Sequence, residues 1–230
     1  MLDSNFSKLI VEDLTAIIPN SAEELRNSVS YDDPPKHISY QHGSAKWLLE
    51  VDKTYLQLTT LPKYFDLCSN KLLEENNIEI PLHMRIFMEH YLIKVSSHID
   101  KCAQLANHVF QVGIKPRNVT RKSLLSKIKY YETKKNFKHL VKFTNQIQQK
   151  RNAIVHKSSD IDSNLNEIDT LSIIAAHNKK YKALYDELCK NYNNGIRELC
   201  EELNKTIEEH TINFLNSLTE QYSIVNERLK

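Results

Sequence analysis

Apolar residues recur at every third or fourth position along most of this chain, which is the spacing of amphipathic α-helices. Near the N-terminus the spacing predicts a helix over residues 5–18, and a Ser-Ala-Glu-Glu capping pattern predicts a short helix over residues 21–29. The segment 30–43 contains Asp-Asp-Pro-Pro and one glycine, so we expect a linker there. The sequence therefore predicts a small helical N-terminal extension, residues 1–43, and a main domain, residues 44–230.

The main domain shows the same helical spacing, interrupted by Pro, Gly and short polar stretches. We expect Pro62 to kink the first long helix or to start a new one, and Gly113 to end the second. These two helices should form a hairpin, and Asn193-Asn194-Gly195 is where the last helix could bend. The predicted elements are helices over residues 44–77, 81–113, 120–131, 136–157 and 179–229, with a polar loop over residues 158–166.

Composition points to the same fold class. Three Gly and six Pro in 230 residues leave little material for the tight turns of an all-β or Rossmann-like fold. We therefore predict an all-α protein, an antiparallel bundle of long helices. The four cysteines stand far apart without Cys-x-x-Cys spacing, which predicts structural thiols in a reducing compartment rather than a zinc or redox site. They are Cys68, Cys102, Cys189 and Cys200.

Targeting and metal signals are weak in this sequence. The first residues lack a basic segment followed by an apolar one, and no apolar run approaches the length that spans a bilayer. We therefore expect a soluble, cytoplasmic protein without a membrane partner. The histidines have no His-x3-His spacing, so we expect no metal site, and no motif indicates a cofactor.

Charge is distributed unevenly along the chain. Residues 115–157 hold 13 Lys and Arg against one acid, Glu132, so this basic block carries +12 and the remainder of the chain −10. Such a block attracts polyphosphates, chiefly nucleic acid, or an acidic protein face. The acidic candidates within this chain lie on the predicted C-terminal helix. They are Glu198, Glu201, Glu202, Glu208 and Glu209.

The basic block ends in the hexapeptide Arg-Asn-Ala-Ile-Val-His, residues 151–156. On a helical wheel Arg151 falls near the middle of an apolar face. Burying an unpaired guanidinium there would cost on the order of several kcal/mol. Arg151 therefore needs an anion, which could be a carboxylate of this chain, a partner subunit or a bound phosphate. Asn152 and His156 lie on the polar edge of the same helix.

An Arg, an amide and a His beside lysines suit RNA cleavage without a metal, in which the ribose 2′-OH attacks its own phosphate. A histidine transfers protons near neutral pH, and an arginine neutralises charge on the phosphoryl oxygens. One His does not conveniently serve both the attacking and the leaving oxygen, so two copies facing each other would complete the site. Arg85 and His90 share the spacing, but Ile86 stands where a polar residue should, so we interpret that pair as structural.

The Arg-Asn-x3-His motif near the end of an amphipathic helix, in an all-helical chain, resembles the signature of the HEPN superfamily. The resemblance implies a metal-independent endoribonuclease that acts as a homodimer, in toxin or anti-phage defence, with a possible antitoxin or regulatory partner. It places Arg151, Asn152 and His156 in catalytic positions. RNA would be the partner of the basic residues Lys138, Lys142, Lys150, Lys157, Arg121 and Lys122.

Non-catalytic alternatives for these two residues remain open. Arg151 could form a salt bridge within the bundle, and His156 could be a surface residue favoured at a helix C-terminus. The chain would then be a non-catalytic helical module that binds nucleic acid, a nucleotide or a protein. Retained RNA binding with loss of cleavage in an Arg151→Ala, His156→Ala variant would separate the enzyme from this module.

Overall fold

The computed structural model describes residues 2–17, 35–67, 79–156 and 160–230, with the backbone alone for residues 17, 66–67, 148–156 and 160–165. These residues form α-helices and short 3₁₀ turns, and no strand occurs among them. The predicted all-α class is therefore confirmed. The α-helices are α1 (Asn5–Ile17), α2 (Lys36–Leu67), α3 (Ile80–Val109), α4 (Arg121–Lys127), α5 (Tyr131–His156), α6 (Asp160–His177), α7 (Lys182–Asn216) and α8 (Thr219–Leu229). No described helix is long and apolar enough to cross a membrane.

Contacts divide the chain into two compact units. Unit 1 comprises Met1–Tyr55, Ser97–Val141 and Ile207–Lys230, and unit 2 comprises Leu56–Ser96 and Lys142–Thr206. Several helices contribute residues to both units, because the chain passes from one to the other within a helix. The predicted division at residue 43 stays a prediction, and the short helix predicted over residues 21–29 lies outside the described residues.

In unit 1, the N-terminal helix α1 contributes residues to the hydrophobic core. Its apolar face buries Leu2, Phe6 and Ile10 in the same cluster as the C-terminal helix α8. The Phe6 ring meets the Tyr222 ring edge-on at 5.6 Å, and the Tyr222 hydroxyl donates to Asp13 at 2.8 Å. The helical spacing of the first residues thus correctly predicted α1, and it is this apolar face that docks α1 in unit 1.

Helix α2 begins at Lys36 rather than at residue 44, so the prediction of a linker reaching Gly43 was wrong. The glycine serves packing instead of a turn, because a Cβ at position 43 would overlap the His108 imidazole. His108 Nε2 lies 3.1 Å from the Tyr40 carbonyl oxygen, and the two rings stack with centroids 5.3 Å apart. Gly43 therefore permits a close approach of α3 to the backbone of α2.

Helix α2 passes Pro62 without a break, so the expectation of a new helix at this residue was wrong. A proline inside a helix has no N–H to donate to the carbonyl four residues earlier, here that of Leu58. In unit 2 the Asn204 side chain compensates, because its Nδ2 donates to the Leu58 oxygen at 3.2 Å. Its Oδ1 accepts from the Tyr91 hydroxyl at 2.7 Å, so both ends of the buried amide are bonded.

We expect Asn204→Ala to lower the free energy of unfolding by about 2–4 kcal/mol, because two buried polar groups lose their partner. The cost should shrink by about 1 kcal/mol in a Pro62→Ala background, where residue 62 regains the N–H that bonds Leu58. Urea unfolding of the four proteins in this double-mutant cycle measures the coupling. Strictly additive effects would show that Asn204 does not stand in for the missing N–H.

The polar loop predicted over residues 158–166 was wrong from residue 160 onward, because α6 begins at Asp160. The acidic and hydroxyl residues of this stretch occupy the first turns of a helix, where negative charge favours the N-terminus. Helix α7 continues through Gly195 to Asn216 without a break, and the bend expected at Asn193-Asn194-Gly195 stays a prediction. The chain interrupts the helix at Ser217 instead, whose carbonyl accepts from the Thr133 hydroxyl at 2.8 Å.

Candidate functional site

The candidate site lies on α5, which buries one face along its described length. Phe137, Leu140, Thr144 and Ile147 are all buried, as the spacing of the sequence predicted. In unit 1 the Phe137 ring packs against the Phe214 ring with centroids 5.4 Å apart. The periodicity that dictates this buried stripe therefore fixes the rotation of α5 about its own axis.

Arg151, Asn152 and His156 all belong to the helical backbone of α5, whose last residue is His156. Arg151 follows Ile147 by four residues and Thr144 by seven, so it continues the register of the buried stripe. The side chains of these three residues, and that of Lys150, lie outside what the structure describes, as does Lys157 altogether. Their catalytic and RNA-binding roles remain predictions.

The side chains of Lys138 and Lys142 are exposed on the same helix, four residues apart. This spacing puts two ammonium groups along one side of α5, and this side is not the one that carries the buried stripe. Asn145 is exposed as well, and it belongs to the polar edge that the sequence assigned to Asn152 and His156. The described part of α5 thus has a basic, solvent-facing side leading toward the motif.

The other two predicted RNA-binding residues lie on α4 in unit 1. The Thr120 hydroxyl and Ser123 form a capping box that starts this helix. Lys122 is exposed, but Arg121 is only 16% exposed and its Nε donates to Asp100 at 3.1 Å. Arg121 therefore already holds a carboxylate of its own unit, and of the two α4 residues Lys122 is the more accessible to a phosphate.

Arg85, which repeats the motif spacing, contacts a carboxylate within unit 2. Its Nη2 lies 2.5 Å from Asp169 Oδ2 and 3.3 Å from Asn166 Oδ1. This ion pair connects α3 to α6 and agrees with the structural interpretation of Arg85. Among the described side chains, no group of three or more His, Cys, Asp or Glu residues comes together to hold a metal ion.

A comparison with family models decides the relationship of this chain. The model described as HEPN_Cthe2314-like HEPN matches residues 40–214, about three quarters of the chain. The chain belongs to this HEPN family. The matched range extends over α5, and the match confirms membership of the HEPN superfamily. No curated protein and no solved structure matches this HEPN chain.

This HEPN protein has a cavity that sequence reasoning missed. A cavity of about 570 Å³ in unit 1 is lined by Trp47 together with residues from the C-terminal end of α3. The sequence placed Trp47 on the apolar face of a helix, and in the structure this partly buried residue packs against the core. Helical spacing does not reveal that the indole also borders a cavity, because the opposite wall comes from a distant segment.

Proposed function

We propose that this protein is a metal-independent endoribonuclease that cleaves RNA through Arg151, Asn152 and His156. The observation that carries the proposal is the HEPN family match, which spans the helix bearing the Arg-Asn-x3-His motif. HEPN domains include nucleotide-related and RNase-type modules, so the family supports this class of chemistry. The exposed lysines of α5 add a surface suited to a phosphate backbone.

In the proposed reaction the ribose 2′-oxygen attacks the adjacent phosphorus while His156 accepts the 2′-OH proton. The bond from phosphorus to the 5′-oxygen breaks, and the departing oxygen takes a proton from a second acid. The products are a 2′,3′-cyclic phosphate and a 5′-hydroxyl. An imidazole suits both proton transfers because its unperturbed pKa of about 6.5 lies near neutrality.

Arg151 would stabilise the extra negative charge that the phosphoryl oxygens gain in the transition state. A guanidinium stays protonated at all relevant pH values and offers two parallel N–H donors, which match two phosphoryl oxygens. Asn152, the next residue, would orient either the phosphate or the imidazole through its amide. Together these roles account for a cation, an amide and a base within six residues of one helix.

RNA would reach this site along basic residues that hold the backbone without reading its sequence. Lys138, Lys142 and Lys122 are exposed, and Lys150 and Lys157 flank the motif in the sequence. Contacts of lysine to phosphate release counterions, so binding should weaken steeply with added salt. Such unspecific cleavage suits a toxin or anti-phage protein whose activity an antitoxin or regulatory partner restrains.

The proposed site is shared by two subunits, because one imidazole does not readily act on both oxygens of the phosphate at once. A homodimer supplies a second His156, so one imidazole accepts a proton while the other donates one. A two-fold axis near the end of α5 would bring the two motifs together, since an isologous interface presents the same patch from each subunit.

Mixed dimers test this arrangement. We expect wild-type subunits co-expressed with an excess of His156→Ala subunits to lose activity per wild-type subunit in proportion to the wild-type fraction, falling to about one quarter at a one-quarter fraction. The matched control replaces His139, an exposed histidine of the same helix, by Ala in the excess subunit. Activity per wild-type subunit that stays constant on dilution would contradict a shared site.

A further inference from the structure

The cavity of unit 1 has the size and the walls of a ligand site. Its volume of about 570 Å³ falls in the range of small-molecule pockets, about 300–1,000 Å³. It lies beside α2 and the C-terminal end of α3, away from the Arg-Asn-x3-His motif in sequence. The residues that line it include Lys36, Tyr40, Trp47, Gln104, Asn107 and Gln111.

Hydrogen bonds within unit 1 hold the walls of this cavity in place. The Tyr40 hydroxyl donates to the Val109 oxygen at 2.9 Å, and the Gln104 amide donates to the Pro116 oxygen at 2.7 Å. The Asn107 side chain bonds both the N–H and the carbonyl of Ile114, at 3.2 and 2.9 Å. The loop after α3 is thereby tied to the helix, so the cavity is formed before any ligand arrives.

The cavity combines an aromatic surface with positive charge. The Trp47 indole is partly exposed, and the Lys101 ammonium lies 5.7 Å from its ring centroid. Lys36 is exposed at the rim, and Arg228 reaches the wall by donating to Gln111 at 2.8 Å. No carboxylate occurs among the described lining residues, although Glu50 pairs with Lys101 at 3.3 Å nearby.

This chemistry favours a planar ligand that carries negative charge. An indole face can stack on any of the nucleobases, and nearby cations attract the attached phosphate. Carboxylates would instead be expected in a site that binds a carbohydrate or a cationic ligand, and the described lining has none. The loop residues Lys115 and Arg117, both exposed, flank Pro116 in the wall of the cavity and add positive charge beside it.

We propose that this cavity binds a nucleobase stacked on Trp47, as a second site distinct from the Arg-Asn-x3-His motif. The proposal rests on the proposed function, because the bound base would belong to a single-stranded RNA that stacking anchors here. A free nucleotide presents the same chemistry, and the measurements below distinguish the two sources. Stacking on an aromatic residue tolerates every base, so the site would add affinity rather than sequence preference.

Fluorescence tests the proposal directly, because Trp47 is the only tryptophan of the chain. We expect AMP to quench its emission in a saturable manner and ribose 5-phosphate, which lacks the base, to leave it unchanged. A non-cleavable 2′-O-methyl RNA decamer should quench at lower concentration than AMP if RNA is the natural source. Quenching by AMP alone would assign the site to a free nucleotide, and no response to either would overturn the proposal.

Binding of the same labelled decamer to variants provides the second measurement. We expect Trp47→Ala to weaken binding on the order of tenfold and Trp47→Phe to retain most of the affinity, because a phenyl ring still stacks. Tyr64→Ala, which removes an exposed aromatic of unit 2, is the matched control and should bind as wild type. Circular dichroism establishes that each variant keeps its helices, and the Phe variant covers the case in which Ala does not fold.

These results separate the second site from the nuclease. If cleavage depends on His156 but the Trp47→Ala variant binds RNA as tightly as wild type, the nucleobase site is overturned and the nuclease is supported. Quenching of Trp47 by AMP in a protein that cleaves no RNA would support the nucleobase site while contradicting the nuclease.

Discussion

Acidification from about pH 7.5 to about pH 5 is expected to destabilise the protein by about 2 kcal/mol through His98 alone. His98 is fully buried in unit 1, and this burial lowers its pKa to about 4, against 6.5 for an exposed imidazole. The folded state therefore keeps His98 neutral at a pH at which the unfolded chain protonates it. The contribution of His98 to stability is fully present above about pH 6.5. It is lost as the pH falls toward 4, at about 1.4 kcal/mol per pH unit.

The contacts of His98 explain why the fold accommodates only the neutral ring. Nδ1 lies 3.0 Å from the Thr54 hydroxyl, which itself donates to the Val51 oxygen at 2.8 Å. Nδ1 must therefore carry the proton, so Nε2 is left to accept from the Thr211 hydroxyl at 2.9 Å. A second proton on Nε2 would require the Thr211 hydroxyl to turn and accept, and burial would penalise the charged ring.

Urea unfolding monitored by circular dichroism at both pH values measures this effect. His98→Gln is the matched control, because an amide can still donate and accept but does not titrate. We expect the variant to be less stable than wild type near neutrality and to lose about 2 kcal/mol less on acidification. An equal loss of stability in both proteins would show that other groups account for the acid sensitivity.

Replacing either charged member of the motif is expected to abolish most cleavage while RNA binding persists. His156→Ala should lower the cleavage rate by about 10²–10⁴-fold, the usual contribution of a general acid or base. Arg151→Ala should lower it by about 10²–10³-fold, because it removes a donor to the charge that develops in the transition state. Both losses should be in the rate constant at saturating RNA rather than in the affinity.

Matched controls for this pair come from the same basic block. His139→Ala removes an exposed histidine of α5, and Arg117→Ala removes an exposed arginine of the loop before α4. Neither should change the rate constant at saturating RNA, although Arg117→Ala should weaken binding at low salt. A loss of RNA affinity by His156→Ala or Arg151→Ala that accounts for the whole defect would favour the non-catalytic binding module.

The fold class and most helices could be predicted from the sequence because amphipathic spacing is a local signal. The buried stripe of α5, with Phe137 and Leu140, and the face of α1, with Phe6 and Ile10, follow directly from it. In two places the prediction failed because the role of a residue depends on another that is distant in sequence. Gly43 looked like a turn residue but makes room for His108.

The expectation of a new helix at Pro62 was wrong for the same reason, since the Leu58 carbonyl that Pro62 leaves unpaired accepts from Asn204, which is far away in sequence. The polar stretch before residue 166 resembled a loop because Asp and Ser are common in turns, yet they are equally suited to the start of α6.

The motif of the candidate site could be found from the sequence because its residues are neighbours on one helix. Arg151, Asn152 and His156 need only the backbone of α5 to share a helix end. The cavity at Trp47 could not be found in this way, because its walls come from α2, the end of α3 and the C-terminal Leu229. Only the fold brings these segments together.

The central claim is that this HEPN protein cuts RNA without a metal, using His156. The most direct test incubates wild-type and His156→Ala protein with labelled RNA in excess EDTA and identifies the chemical ends of the products. We expect wild-type fragments that end in a 2′,3′-cyclic phosphate and begin with a 5′-hydroxyl, and intact RNA with the variant. Intact RNA with both proteins, or equal cleavage by both, would contradict it.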